Sequence, residues 1–243
     1  MAARGYTASV TKVHPRYRWL IFDADGTLFD FRLGETIALQ QTTRMHDVAY
    51  SSDLHESYSA ISAELWRQFE LGEISLMHLR VVRFERLFAE LGIDLEAESF
   101  NRDFMQALGQ QRQLLPGSEA IVRSLSSRFR LLLATNGIAV VQRPRFAGSS
   151  IRRYFEDVVI SDEIGVAKPQ TGFLEEAFSR MGEPSKSEVL MIGDSLSSDI
   201  AGGVNFGVDT CWFNPDGFAL DGSPKPTYEI ADLTEIDAIV AGT

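Results

Sequence analysis

The sequence predicts a doubly wound α/β fold, a parallel-sheet (Rossmann-like) core interrupted by an inserted all-helical domain. Two observations carry that prediction. Short apolar runs ended by turn residues occur at 19–22 and then four times after residue 129, alternating with helical stretches. Between about 33 and 113 the alternation stops, and only helical periodicity remains.

Taken in order, residues 1–16 carry Arg4, Lys12 and Arg16 with no acid and no signal-peptide apolar core, and read as a loose tail. Trp19-Leu20-Ile21-Phe22 running into Asp-Ala-Asp-Gly-Thr reads as a buried strand. Four helices follow, over about 34–48, 53–71, 76–91 and 96–112. Leu65, Phe69, Leu79, Val82, Leu87 and Leu91 recur at helical spacing, and Gly72 and Gly92 stand where helices stop. Pro116-Gly117 marks the return to the core. From there the expected order is helix 117–127, strand 130–134, helix 138–147, strand 157–160, helix 171–181, strand 189–192, helix 196–206 and strand 208–213. The expected domains are thus a core of 17–32 and 114–243 and a helical insert of 33–113.

Composition narrows the function. The 243 residues are 44% hydrophobic and 23% charged, as in ordinary globular proteins. Apolar runs of four residues fall far short of the roughly 20 a bilayer span needs. A single cysteine, Cys211, excludes an internal disulfide and any CxxC site and fits a reducing compartment, so a cytoplasmic location is expected. Cys211 itself reads as a small buried residue rather than a reactive thiol. His14, His46, His55 and His78 show no metal-ligand spacing. The net charge of −11 argues against a nucleic-acid polymer as partner. An acidic protein that handles an anion needs a local device to reverse its own field.

Four polar clusters sit where ligands bind in open α/β sheets, at the C-terminal ends of predicted strands or just beyond them. Asp23-Ala24-Asp25-Gly26-Thr27 places two carboxylates two residues apart after a strand, with Gly26 permitting a turn. A calcium loop fails here: counted from Asp23, positions six and twelve are Leu28 and Gly34 rather than Gly and Glu. Thr135-Asn136-Gly137 ends a strand and opens a helix, offering a hydroxyl and backbone N–H groups to an anion or simply capping the helix. Lys168-Pro169 follows Gly165-Val166-Ala167. Gly193-Asp194-Ser195-Leu196-Ser197-Ser198-Asp199 sends Asp194 out of a strand and puts Asp199 early in a helix. Each alone has an ordinary structural explanation; together they occur in the order one crevice would use.

That order and spacing resemble the haloacid dehalogenase superfamily of aspartyl-phosphate phosphatases over about residues 18–215. The resemblance implies Asp23 as nucleophile, Asp25 as acid and then base, and Thr135 with the Asn136 and Gly137 amides as phosphoryl holders. It implies Lys168 as charge neutraliser, and Mg²⁺ held by Asp23, Asp194 and the Asp25 main-chain carbonyl, with Asp199 orienting the metal or Lys168. Mg²⁺ and Lys168 would be the field-reversing device. The superfamily's dehalogenases lack a second aspartate, so Asp25 favours phosphate chemistry.

The helical insert is placed like the family's small cap, which covers the site and sets specificity. Leu65-Trp66, Gly72-Glu73-Ile74-Ser75, Arg83-Phe84-Glu85 and Asp199-Ile200-Ala201-Gly202 resemble the branch of noncanonical pyrimidine 5′-nucleotidases, although Gly26 stands where those enzymes can carry another residue. The implied partner is a small phosphorylated substrate, a nucleoside 5′-monophosphate; phosphoglycolate, a sugar phosphate, or a non-catalytic binding role are the alternatives. Trp66 stands at helical spacing with Phe69 and could be cap core or stack a base. Arg83 could contact substrate or sit in a surface ion pair, and Phe31 could pack on a base or wedge cap against core.

Overall fold

Six parallel strands form one sheet in the order β3-β2-β1-β4-β5-β6. They are β1 (Trp19–Phe22), β2 (Arg130–Thr135), β3 (Asp157–Ile160), β4 (Val189–Gly193), β5 (Asp209–Phe213) and β6 (Tyr228–Ile230). Strand order reverses between β1 and β4, which opens a crevice at their C-terminal ends. The computed structural model describes residues 16–220, 222 and 224–241. The expected 1–16 tail lies outside the described residues except for Arg16, which pairs with Asp209 at 2.5 Å.

The central strands are apolar on both faces because helices cover both. Leu20, Phe22, Leu131, Leu133, Leu190 and Ile192 point to one side, where they meet Ile121, Val122 and Leu125 of α5 (Ser118–Ser126). Trp19, Ile21, Leu132, Val189 and Met191 point to the other, against Phe173, Leu174, Ala177 and Phe178 of α8 (Thr171–Met181).

Between β1 and β2 stand α1 (Phe31–Met45), α2 (Ser52–Glu70), α3 (Leu76–Leu91) and α4 (Ala97–Gly109). Ser51 and Ser75 cap α2 and α3 by accepting the Leu54 and His78 N–H groups, and Gly92 ends α3 at φ +65°. These helices share an aromatic core, with the Phe84 ring 4.9 Å from Phe100 and 5.2 Å from Phe104. Helix α6 (Ala139–Ala147) belongs to both cores. Val141, with Ile138 just before it, packs among the inserted helices, while Phe146 packs under the sheet.

Several boundaries differ from expectation. Helix α1 starts at Phe31 rather than 34, because the Asp30 carboxylate caps it by accepting the Leu33 N–H at 3.0 Å. The single helix expected over 196–206 is a π-helical turn (Leu196–Ile200) leading into α9 (Ala201–Phe206). That wider turn lets the Asp199 side chain fold back onto the Ser195 N–H at 3.1 Å. Strand β6, the short helix α7 (Ser161–Ile164) and α10 (Ile236–Ala241) were not anticipated. Among the described residues no helix is long and apolar enough to cross a membrane.

Candidate active site

Strand β1 delivers Asp23 to the crevice, its N–H still paired to the Ile192 carbonyl of β4 at 2.9 Å. The chain then turns through Gly26 at φ +83°, with the Leu28 and Phe29 N–H groups both donating to the Ala24 carbonyl. A Cβ at Gly26 would lie 2.5 Å from the Asp194 Oδ2, so glycine also admits the approach of β4's exit loop. Asp194 is held there by the Thr27 hydroxyl on its Oδ1 at 3.0 Å and by the Trp212 indole N–H on its main-chain carbonyl at 2.9 Å. Asp23, Asp194 and Asp199 each bring a carboxylate oxygen within 4.8 Å of the others.

Lys168 ties three strands together. Its Nζ donates to Asp23 Oδ1, Asp199 Oδ1 and the Ala134 carbonyl, each at 2.7 Å, and only 2% of its surface is exposed. Burial pulls the ammonium down, but Asp199 and Asp23 outweigh burial and hold it above its ordinary value. Asn136 fixes the Lys168 backbone from both sides, donating Nδ2 to its carbonyl and accepting its N–H, each at 2.8 Å. The peptide before Pro169 is cis. Thr135 and Gly137 also sit in the crevice, yet the Gly137 N–H turns inward onto the Thr135 Oγ1 at 3.1 Å, so in this conformation that amide is spent within the loop.

Asp25 faces two residues that sequence reasoning missed. Gln142 Nε2 donates to its Oδ2 at 2.7 Å, and Arg145 forms an ion pair with its Oδ1. Both come from α6 and both are buried, at 3% and 2% exposure. A signal existed: Val141 and Arg145, like Gln142 and Phe146, are four apart, which puts the two polar residues on the helix's buried face.

A cavity of about 200 Å³ opens from the carboxylates toward the inserted helices. Phe31, Trp66 and Arg83 all line it, together with Met105, Leu108, Ile138 and Val141. The surface ion pair weighed for Arg83 is not what forms. Arg83 is 2% exposed, lies 4.9 Å from both the Phe84 and Phe104 ring centroids, and donates to Asn101 Oδ1 at 3.1 Å and the Tyr58 hydroxyl at 3.4 Å. Its Nε has no partner. Tyr58 in turn donates to Glu35 at 2.8 Å, and burial raises the Glu35 carboxyl above its ordinary range. Trp66 packs edge-on against Phe69 at 5.7 Å while keeping a face to the cavity, so it is both cap core and lining. Two contacts bridge insert and core at the rim: Arg80 to Asp162 at 2.5 Å and Ser197 to Glu70 at 2.7 Å.

The carboxylate cluster is short of positive charge. Burial, and then the Asp23 charge, push the Asp194 carboxyl up to about 7, and the same two causes raise Asp199. An all-oxygen donor set of this kind fits a hard divalent cation such as Mg²⁺. Asp199 has both oxygens engaged, one by Lys168 and one by the Ser195 N–H. Cys211 is fully buried in β5, and burial pushes its thiol up to about 12, which leaves it inert at neutral pH.

The chain is similar to known proteins over most of its length. The chain is 38% identical to the pyrimidine 5′-nucleotidase PynA of Streptococcus pneumoniae, over 90% of this chain and 93% of that one. It is 32% identical to the pyrimidine 5′-nucleotidase YjjG of Escherichia coli, over 93% and 98%. The structure of the HAD-hydrolase YfnB from Bacillus subtilis, bound to magnesium, superposes with a TM-score of 0.88 at 33% identity, covering 93% of this chain and 99% of that one. The sequence model of the haloacid dehalogenase-like hydrolases matches residues 17–207, from the strand that delivers Asp23 to the helix that follows Asp199, and the chain belongs to that family.

Proposed function

We propose that the chain hydrolyses phosphomonoesters through an aspartyl phosphate on Asp23, and that its substrate is a pyrimidine nucleoside 5′-monophosphate. One observation carries the chemistry: a buried carboxylate, Asp23, is paired to a buried ammonium at 2.7 Å, with a second carboxylate two residues on at the cavity wall. An Asp23 oxygen bonds to phosphorus as the bond to the leaving oxygen breaks, and Asp25 gives that oxygen its proton. Asp25 then takes a proton from water, the water oxygen bonds to phosphorus, and the Asp23–phosphorus bond breaks to release phosphate. Lys168 and Thr135 hold charge developing on the phosphoryl oxygens. Asp23, Asp194 and the Asp25 carbonyl would hold Mg²⁺, with Asp199 orienting Lys168. Bound there, the metal would supply Lewis-acid neutralisation of a phosphoryl oxygen.

The pyrimidine assignment draws on the names of the relatives PynA and YjjG and on the cavity. Phe31, Trp66, Met105 and Leu108 suit the faces of a flat heterocycle. Arg83 lines the same cavity and puts a fixed positive charge at its wall. Initial rates on pyrimidine and purine monophosphates, phosphoglycolate and hexose phosphates test the assignment. A preference for the last two groups would overturn the nucleotide reading, and absence of Mg²⁺-dependent turnover on every ester would overturn the chemistry.

A further inference from the structure

We propose that Gln142 and Arg145 are positioning residues for the acid–base step, forming a clamp that fixes the Asp25 carboxylate against the phosphate loop. The inference rests on the phosphatase reading above and goes beyond it by assigning roles to two residues of α6. Each clamp residue takes a different oxygen of Asp25, so both the rotamer and the tilt of the carboxylate are set. Gln142 and Arg145 are three apart on a helix and project from one face. That helix starts directly after Thr135–Ile138, so a single rigid element carries both the phosphate loop and the clamp.

Two further observations separate this arrangement from a packing accident. A Cβ at Gly137 would overlap the Gln142 side-chain amide, so the glycine of the phosphate loop clears the path by which Gln142 reaches Asp25. Arg145 is buried with its guanidinium 4.4 Å from the Phe29 ring centroid and its Nε unpartnered. Buried ion pairs are seldom worth more to stability than apolar residues of the same size. An incompletely satisfied one beside a reacting carboxylate is better explained by geometry than by stability.

The test compares Gln142→Leu, Arg145→Met and Arg145→Lys with Asp25→Asn, on uridine 5′-monophosphate and on 4-nitrophenyl phosphate. The first has a leaving oxygen that needs a proton; the second does not. A displacement of about 1 Å in a reacting group can lower a rate about 10²-fold. Gln142→Leu and Arg145→Met should therefore lower kcat on the nucleotide about 10²-fold with KM within threefold. The pre-steady-state burst of 4-nitrophenolate should fall less than about fivefold, and Arg145→Lys should recover part of the nucleotide rate. Equal losses on the two esters, or unchanged nucleotide turnover in Gln142→Leu, would overturn the clamp. If Arg145→Met fails to fold, as judged by its thermal melt, Gln142→Leu decides alone. Full activity of Asp25→Asn would instead sink the acid–base reading itself, so the two failures are distinguishable.

Discussion

Replacing Lys168 by methionine keeps an unbranched side chain one atom shorter and removes one charge from the middle of the site. The lost ammonium sits 2.7 Å from Asp23 and 2.7 Å from Asp199. At an effective dielectric near 20 each pair is worth about 6 kcal/mol of Coulomb energy before desolvation. Removing one partner of such a buried cluster costs a net ~3–5 kcal/mol, because carboxylates are left uncompensated. In the native protein the Lys168 ammonium is held above its ordinary value, so its stabilisation is complete below about pH 10 and constant across pH 5–9. In the variant Asp199, already raised by burial and by the Asp23 charge, takes up a proton more readily as pH falls. Urea unfolding should therefore show a loss of ~3–5 kcal/mol at pH 8 that shrinks by roughly 1–2 kcal/mol at pH 5.5. Turnover should fall by at least about 10²-fold at both values. A loss below about 1 kcal/mol at pH 8, or one that does not change with pH, refutes the reasoning.

The remaining predictions concern the metal, a glycine and the cap. Asp194, raised to about 7, favours the metal-free protein at low pH, and that contribution is lost as pH rises through 7. Thermal melts should fall between pH 6 and 8 without Mg²⁺, while the Mg²⁺-induced increase grows; an increase independent of pH contradicts competition between metal and proton. Gly193→Ala puts a methyl group 2.5 Å from the Asp199 Cβ and across its carboxylate, so denaturation should report a loss of ~2–4 kcal/mol with Lys168 displaced and turnover reduced. Wild-type stability in that variant would show that the Asp199 turn is looser than described. Arg83→Met should raise KM for uridine monophosphate about tenfold, equivalent to about 1.4 kcal/mol, and leave 4-nitrophenyl phosphate unchanged; equal effects on both would remove Arg83 from base recognition.

The sheet was legible wherever a strand is buried on both faces. Trp19–Phe22 and Val189–Gly193 are continuous apolar runs because helices cover them above and below, and their polar ends mark the crevice. Strand β6 escaped notice because three residues at a sheet edge, Tyr228–Ile230, bury too little to leave a pattern. The start of α1 was misplaced because Phe31 reads as part of the strand's exit until the Asp30 cap is seen. The carboxylates and Lys168 could be named from motif order alone. Gln142 and Arg145 could be placed on the buried face of α6 by spacing but not assigned to Asp25, a partner 117 and 120 residues away. Arg83 lay between: Leu79, Arg83 and Leu87 are spaced by four, and that spacing already places the arginine on the buried face of α3.

Helix α6 packs its first turn among the inserted helices and its last turn under the sheet. For protein engineering this sets where the molecule can be cut. Exchanging residues 33–113 for the corresponding segment of another family member would replace every insert residue that Ile138 and Val141 pack against. A chimera that imports a new specificity must carry the donor's version of α6 with it, and with α6 come the donor's phosphate loop and whatever its own acid–base carboxylate leans on. On the proposed function, specificity and chemistry would therefore be inherited as one block that is discontinuous in sequence.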